Sequence, residues 1–192
     1  EKMSTISRKT TESNINLSLN IRGSRKISID TGIGFFDHML TLLAFWGKWD
    51  LALSCKGDLY VDSHHTIEDT GLALGSAFYE EWKDNLAIER ISYAFCPLDE
   101  ALSRIVVDIC NRPFFTFDAI FNIEKVGEFE TEMTSHFFRS FSQEARITLH
   151  IASLHGENAH HIIETMFKGL GLALRRGIKK NNSDVSSTKG VL

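Results

Sequence analysis

The sequence has no apolar run approaching the roughly 18–20 residues that cross a bilayer, so no membrane-spanning helix is expected. Its opening stretch, Glu1 to Asn14, is polar and lacks the apolar core of a signal peptide. Cysteine is scarce: Cys55, Cys96 and Cys110 are the only three, an odd number with no C-x-x-C pair. That pattern excludes a disulfide framework and predicts a reduced, cytoplasmic protein. An excess of positive charge is also missing. Twenty-one Lys and Arg against 25 Asp and Glu leave a net charge of −4, which argues against a nucleic-acid-binding module, since these are usually basic. Local basic pockets stay open.

What remains is a globular composition, 43% hydrophobic and 24% charged, in 192 residues. That length suits one ordinary domain or two small fused repeats, with a core that needs no covalent staples. The most informative feature is a doubled motif. His64-His65-Thr66-Ile67-Glu68 and His160-His161-Ile162-Ile163-Glu164 hold four of the eight histidines. On a helix, His and Glu at i, i+3 or i+4 share a face and can address one cation. Adjacent histidines diverge by about 100°, so they are unsuited to a single metal. The pattern points to two metals with each motif donating to both.

Hydrophobic periodicity places these motifs. Ile15 to Ile21 alternates as a strand, Arg22-Gly23-Ser24 reads as a turn, and Lys26 to Asp30 alternates again, predicting a hairpin. A helix follows from Phe35 to Gly47 with His38. Asp50 to Ser54 predicts a third strand and Cys55 to Val61 a fourth. Asp62 or Ser63 can cap a helix reaching about Trp82. In the second half, strands are expected over Leu102–Cys110, Phe114–Phe121 and Ile147–Ser153. Helices are expected over Thr131–Ala145, carrying His136, and from His160 to about Ile178. His38 and His136 thus precede their His-His pairs by 26 and 24 residues. The order implies an internal duplication, a first half over 1–92 and a second over 93–192 with a polar tail from Asn181, joined in one compact unit. The fold class is α+β, each half a mostly antiparallel sheet with two helices on one face.

The candidate metal ligands are therefore His38, His64, His65, Glu68, His136, His160, His161 and Glu164. Imidazole with carboxylate suits Mn, Fe, Co, Ni or Zn, and the absence of Cys from the set disfavours a soft thiolate site. His150 and His155 have no counterpart in the other half and read as structural or surface groups. Asp99, Glu100 and Asp108 are of the kind that orient Arg or His neighbours.

Several stretches together resemble the imidazoleglycerol-phosphate dehydratase family. They are Thr31 to Leu40, Asp62 to Gly75, Pro97 to Leu102, Val107 to Pro113, Gly156 to Arg175, and Ser187-Thr188-Lys189-Gly190-Val191-Leu192. The resemblance runs from about Arg8 to Leu192. Local departures are Leu42, Phe45-Trp46, Cys110-Asn111 in place of a Ser-Gly, and Ser186 in place of Pro. The resemblance implies a lyase of histidine biosynthesis with a ribosomal protein S5 domain 2-like duplicated fold. It implies dehydration of imidazole glycerol phosphate to imidazole acetol phosphate, with two Mn²⁺ per active site stabilising an imidazolate. It also implies trimers assembled into an octahedral 24-subunit shell with sites at subunit interfaces. Glu12 matches a family glutamate placed to move the proton, and Glu68 and Glu164 can share acid–base work with ligation. Arg90, Arg112, Lys168, Ser187 and Lys189 match positions at the substrate phosphate. From the residues alone, two rivals stand: a metal-storage or metal-sensing shell, and a dimetal hydrolase or phosphatase that activates water.

Overall fold

The computed structural model describes residues 3–182 and 184–192. The first half contains β1 (Ser4–Lys9), β2 (Ser13–Asn20), β3 (Ile27–Asp30), α1 (Gly34–Gly47), β4 (Asp50–Gly57) and α2 (His64–Trp82). The second contains β5 (Ile91–Leu98), β6 (Ala101–Ile109), β7 (Phe114–Asp118), α3 (Met133–Ala145), β10 (Ile147–His155) and α4 (Ala159–Gly177), with a small β8 (Lys125–Val126) and β9 (Phe129–Glu130) hairpin inserted before α3. Strand order is β1-β2-β4-β3 in one sheet and β5-β6-β10-β7 in the other, so the halves share one topology. In each sheet the last pair, β3 with β4 and β7 with β10, is parallel and the rest are antiparallel.

That parallel pair corrects the hairpin expected between β2 and β3. β4 lies between them, because its inward Leu51, Leu53 and Cys55 complete the buried face begun by Ile15, Leu17 and Leu19. Asp50 fixes the arrangement: its Oδ1 accepts the backbone N–H of Ser24 (2.8 Å) and of Lys26 (2.9 Å), tying the turn to β4. These bonds, Lys26's first, hold the Asp50 carboxyl below its usual range against the opposing effect of burial. The strand expected over Cys55 to Val61 is also absent. β4 runs on to Gly57, and residues 58–61 curl into a turn in which the Val61 N–H donates to the Asp58 carbonyl at 2.9 Å. β1 and β5 are not evident from periodicity, because both are edge strands whose exposed positions carry no consistent alternation signal: polar on β1, apolar Ile91, Tyr93 and Phe95 on β5.

The helices lie between the sheets and pair across the halves, α1 on α4 and α2 on α3. Glycines make this approach possible. A Cβ on Gly75 of α2 would stand 2.5 Å from the Phe141 carbonyl oxygen of α3. On Gly171 of α4 it would stand 2.6 Å from the Leu43 carbonyl oxygen of α1. Gly75 and Gly171 occupy the same place relative to their His-His motifs, so the duplication preserved the packing device. Phe137 of α3 stacks on Phe167 of α4 (5.2 Å between ring centroids) and meets Phe36 of α1 edge-on (5.4 Å), and all three rings are fully buried. The helices that carry His38, His136 and His160 are thereby fixed to one another.

Gly75→Ala is expected to lower stability by about 1–3 kcal/mol, the usual cost of overpacking, in spite of the roughly 1 kcal/mol that alanine gains in helix propensity. Gly34→Ala, where a Cβ meets nothing within 4 Å, serves as the control and is expected to be neutral or stabilising. Chemical denaturation reads both; equal midpoints would remove the close-approach argument.

Candidate metal centre

Each helix start is built to present its histidines. Asp62 Oδ1 accepts the His64 N–H at 2.9 Å at the head of α2, and Asn158 Oδ1 accepts the His161 N–H at 3.0 Å at the head of α4. The pairing of helices across the halves then assembles two groups. One joins His38 of α1 to His160 and Glu164 of α4; the other joins His136 of α3 to His64 and Glu68 of α2. In each group the candidate ligand atoms lie within 4.8 Å of one another. His64 Nε2 is 2.9 Å from Glu68 Oε2, and His160 Nε2 is 3.0 Å from Glu164 Oε2. The histidine on the first helix of each half therefore lies with the motif of the other half.

The donor chemistry fits a divalent cation of the imidazole- and carboxylate-preferring class. Four imidazoles and two carboxylates, all on helices and none fully buried, converge in two groups of three. The two groups are not identical. Lys168 Nζ lies 2.9 Å from Glu164 Oε1, while Leu72 stands at the matching position beside Glu68. Burial pushes the Glu164 carboxyl upward, but Lys168 and then His160 outweigh it and hold it below its usual range.

His65 and His161, also expected as ligands, join neither group in the chain. The divergence of adjacent helical residues turns them aside, and each is held by a carboxylate through Nδ1. Asp58 Oδ2 is 2.8 Å from His65 Nδ1, and Glu100 Oε1 forms a short hydrogen bond with His161 Nδ1. These carboxylates raise both imidazole pKa values. A carboxylate on Nδ1 is how metal-ligating imidazoles are usually oriented, with Nε2 turned to the ion. Glu100 was legible from its sequence context; Asp58 was not, since it sits in an irregular turn seven residues before its partner. Glu12, in the β1–β2 turn, comes within 3.6 Å of His65 Nε2. Its carbonyl accepts the Asp58 N–H at 3.0 Å, which ties the turn to the first motif.

Of the five residues matched to a phosphate site, Arg90, Arg112, Ser187 and Lys189 line one depression of about 750 Å³. Arg90 is locked there. It makes a fork on Asp108 (2.7 and 3.1 Å), which raises its pKa, and donates to the Ser186 carbonyl at 2.7 Å. The polar tail is thus fastened to the second sheet. Lys168 lies instead at the His38–His160–Glu164 group. His150 bonds Thr116 on the surface, and the three cysteines are free and buried.

Two imidazole–imidazole–carboxylate groups set across the seam of a duplicated α+β scaffold define a candidate metal-binding protein. Comparison with known proteins narrows this. The profile of the family described as imidazoleglycerol-phosphate dehydratase matches residues 31–174. Imidazoleglycerol-phosphate dehydratase of Clostridioides difficile is 49% identical over 187 residues, 97% of each chain. That of Methylorubrum extorquens is 46% identical over 190 residues, again 97% of each. Among solved structures, the Staphylococcus aureus enzyme superposes with a TM-score of 0.86 at 36% identity, covering 94% of this chain and 100% of that one. The Pyrococcus furiosus protein gives 0.84 at 38%, covering 97% and 100%. The chain belongs to the imidazoleglycerol-phosphate dehydratase family, and so to the hydro-lyases.

A test of the Nδ1 partners follows from Glu100. The backbone N–H of Glu157, then the His161 ring, then the N–H of Asn158 pull its carboxyl from 4.5 down to about 2. A depressed carboxyl stabilises the fold fully above its unfolded value, and that contribution fades as pH falls through the folded one. Glu100→Gln is therefore expected to lower Tm at pH 7, with the gap to the parent closing between 4.5 and about 2. A gap independent of pH in thermal denaturation would exclude this role.

Proposed function

We propose that the chain dehydrates imidazole glycerol phosphate to imidazole acetol phosphate in L-histidine biosynthesis, in the cytoplasm, with two Mn²⁺ per active site. The observation that carries this reading is the pair of seam-spanning His–His–Glu groups in a chain of this family. In this reading His38, His160 and Glu164 hold one ion, and His64, Glu68 and His136 the other. His65 and His161, oriented by Asp58 and Glu100, serve ions held by neighbouring subunits. Exposed Ile91, Tyr93 and Phe95 on β5 support association with such neighbours, because isolated subunits rarely leave aromatic and aliphatic side chains contiguous in water. Trimers assembled into a 24-subunit shell, with sites between subunits, are the proposed form.

The ions, when bound, would supply Lewis acidity that lowers the N–H pKa of an imidazole ring, so that the ring's electrons can expel the hydroxyl from the carbon beside it. The rest falls to side chains. Arg112, Ser187 and Lys189 bind the phosphate as fork, hydroxyl donor and point charge, with Arg90 preset by Asp108. Lys168 acts at the same end of the substrate from a neighbouring subunit. Phosphate binding far from the reacting carbon positions that carbon and removes the need to order it later. Glu12 Oε1 takes the proton from the second carbon out from the ring and returns it to the hydroxyl departing from the carbon beside the ring, so that water and an enol result and the enol rearranges to the ketone. Glu68 and Glu164 assist where their ligand role allows. The phosphate depression argues against a storage shell, which has no use for it.

Two measurements test this. Chelation is expected to abolish turnover and Mn²⁺ to restore it, with ketone formed and no phosphate released. Full activity of verified metal-free protein, or release of phosphate, would overturn the reading, the latter in favour of a hydrolase. Separately, Glu12→Gln is expected to retain fold and metal content while lowering kcat by about 10²–10⁴-fold, the usual worth of a general acid–base. An unchanged kcat would remove Glu12 from the reaction.

A further inference from the structure

A second basic depression, of about 590 Å³, lies at the C-terminal ends of α1 and α4. Arg22, Lys48, Arg175, Arg176, Lys179 and Lys180 line it, and no carboxylate does. Six cations gather here on a chain whose net charge is −4. They come from three separate places: the turn after β2, the end of α1, and the end of α4. Among the described residues, the ion pairs within 4.0 Å involve none of the six. Two are held in place by neutral partners, Arg22 donating to the Ile178 carbonyl (2.6 Å) and Arg176 to the Tyr93 carbonyl (2.8 Å).

Cations favour helix C-termini for dipole reasons alone, at about 0.3–1 kcal/mol each. The duplicated half offers an internal control for that explanation. Tyr79-Glu80-Glu81-Trp82-Lys83-Asp84 at the end of α2 stands where Arg175-Arg176-Gly177-Ile178-Lys179-Lys180 stands in α4. It carries three acids and one lysine, and that lysine is paired with Glu80 at 2.6 Å. Arg146, the counterpart of Lys48 at the end of α3, lies over the Tyr79 ring at 5.3 Å and bonds Asn111. The same helix end in the same fold is therefore stable without pooled charge. Like charges gathered around one depression repel one another; Glu81 offsets part of this at Arg22, and an anion in the depression would relieve the rest.

We infer that this depression binds a small molecule carrying two or more phosphates, at a site distinct from that for the substrate's single phosphate. Its volume is that of a small-ligand pocket, which suits a compact ligand better than an extended polymer. Guanidinium forks and ammonium groups together match phosphate oxygens. The charge exceeds what one phosphate uses. By comparison, the depression at Arg90, Arg112 and Lys189 has three cations, one already neutralised by Asp108. The two depressions share no lining residue, and the backbone hydrogen bond from the Arg90 N–H to the Gly177 carbonyl (2.8 Å) lies between them.

Fructose 1,6-bisphosphate is a suitable probe, with glucose 6-phosphate as the monophosphate control, both titrated calorimetrically into intact metal-loaded protein. The bisphosphate is expected to bind at least tenfold more tightly than the control, and more weakly as salt rises. Inorganic phosphate is expected to inhibit turnover by occupying the substrate's phosphate depression, and Lys179→Gln/Lys180→Gln is expected to weaken bisphosphate binding at least tenfold while leaving that inhibition unchanged. Arg175→Gln, a single exposed change, gives the same reading should the double variant not fold. Absence of a bisphosphate event in the intact protein would overturn the inference. So would equal affinity in the parent and in the folded variants, or joint loss of bisphosphate binding and phosphate inhibition, which would place both at the substrate site.

Discussion

The close contact of helices across the two halves is the constraint on which everything else rests. Neither half can hold a three-donor group alone. Each supplies one histidine on its first helix and a His-x-x-x-Glu turn on its second, and these meet only when α1 lies on α4 and α2 on α3. Gly75 and Gly171 set the distance at which the backbones pass, and the Phe36–Phe137–Phe167 cluster packs α1, α3 and α4 together. A shift of a fraction of an ångström at this seam moves imidazoles relative to carboxylates on both sides at once. Stability and site geometry are therefore governed by the same contacts, since a tightly packed interior transmits displacement and does not absorb it.

Around that seam the duplication has been kept where geometry matters and abandoned where charge matters. Topology, strand order and the left-handed cap after each first helix, at Lys48 and Arg146, recur with backbone angles that agree within a few degrees. The partners of the donors do not recur. Lys168 opposes Glu164 where Leu72 stands near Glu68. Asp58 from a turn after β4 orients His65, whereas Glu100 from the β5–β6 turn orients His161. The outer sheet faces diverge as well, polar around Thr5, Ser7 and Asn16 and apolar around Ile91, Tyr93 and Phe95. Two equivalent donor frames thus sit in unequal fields, which suits a reaction in which the two ends of one substrate need different treatment.

Periodicity and spacing carried a large part of this. The doubled His-His-x-x-Glu motif, its placement at helix starts, the correspondence of His38 with His136 and the α+β duplication all follow from patterns of fixed period, and local backbone geometry alone decides them. The acidic residues that orient other side chains, Glu100 and Asp108, were legible from their type and setting. Where the reading went astray, a non-local choice had intervened. β3 could have paired with β2 by proximity, but β4 offers a longer buried face and the Asp50 carboxylate. β1 and β5 are strands only because a neighbour supplies their hydrogen bonds.

The sequence by itself determined which residue types are available and which helix faces they share, because those depend on a repeat of 3.6 residues. It could not determine which histidine meets which glutamate. Within a motif His64 and Glu68 are bound to meet; that His136 and not His38 joins them is decided by helix pairing between residues far apart in the chain. Nor could spacing bring Asp58 to His65, Arg90 to Ser186, or Arg22 and Lys48 to the end of α4. Such contacts join segments through folded space. Their free energy exists only once the core has ordered both partners, and only the tertiary structure decides them.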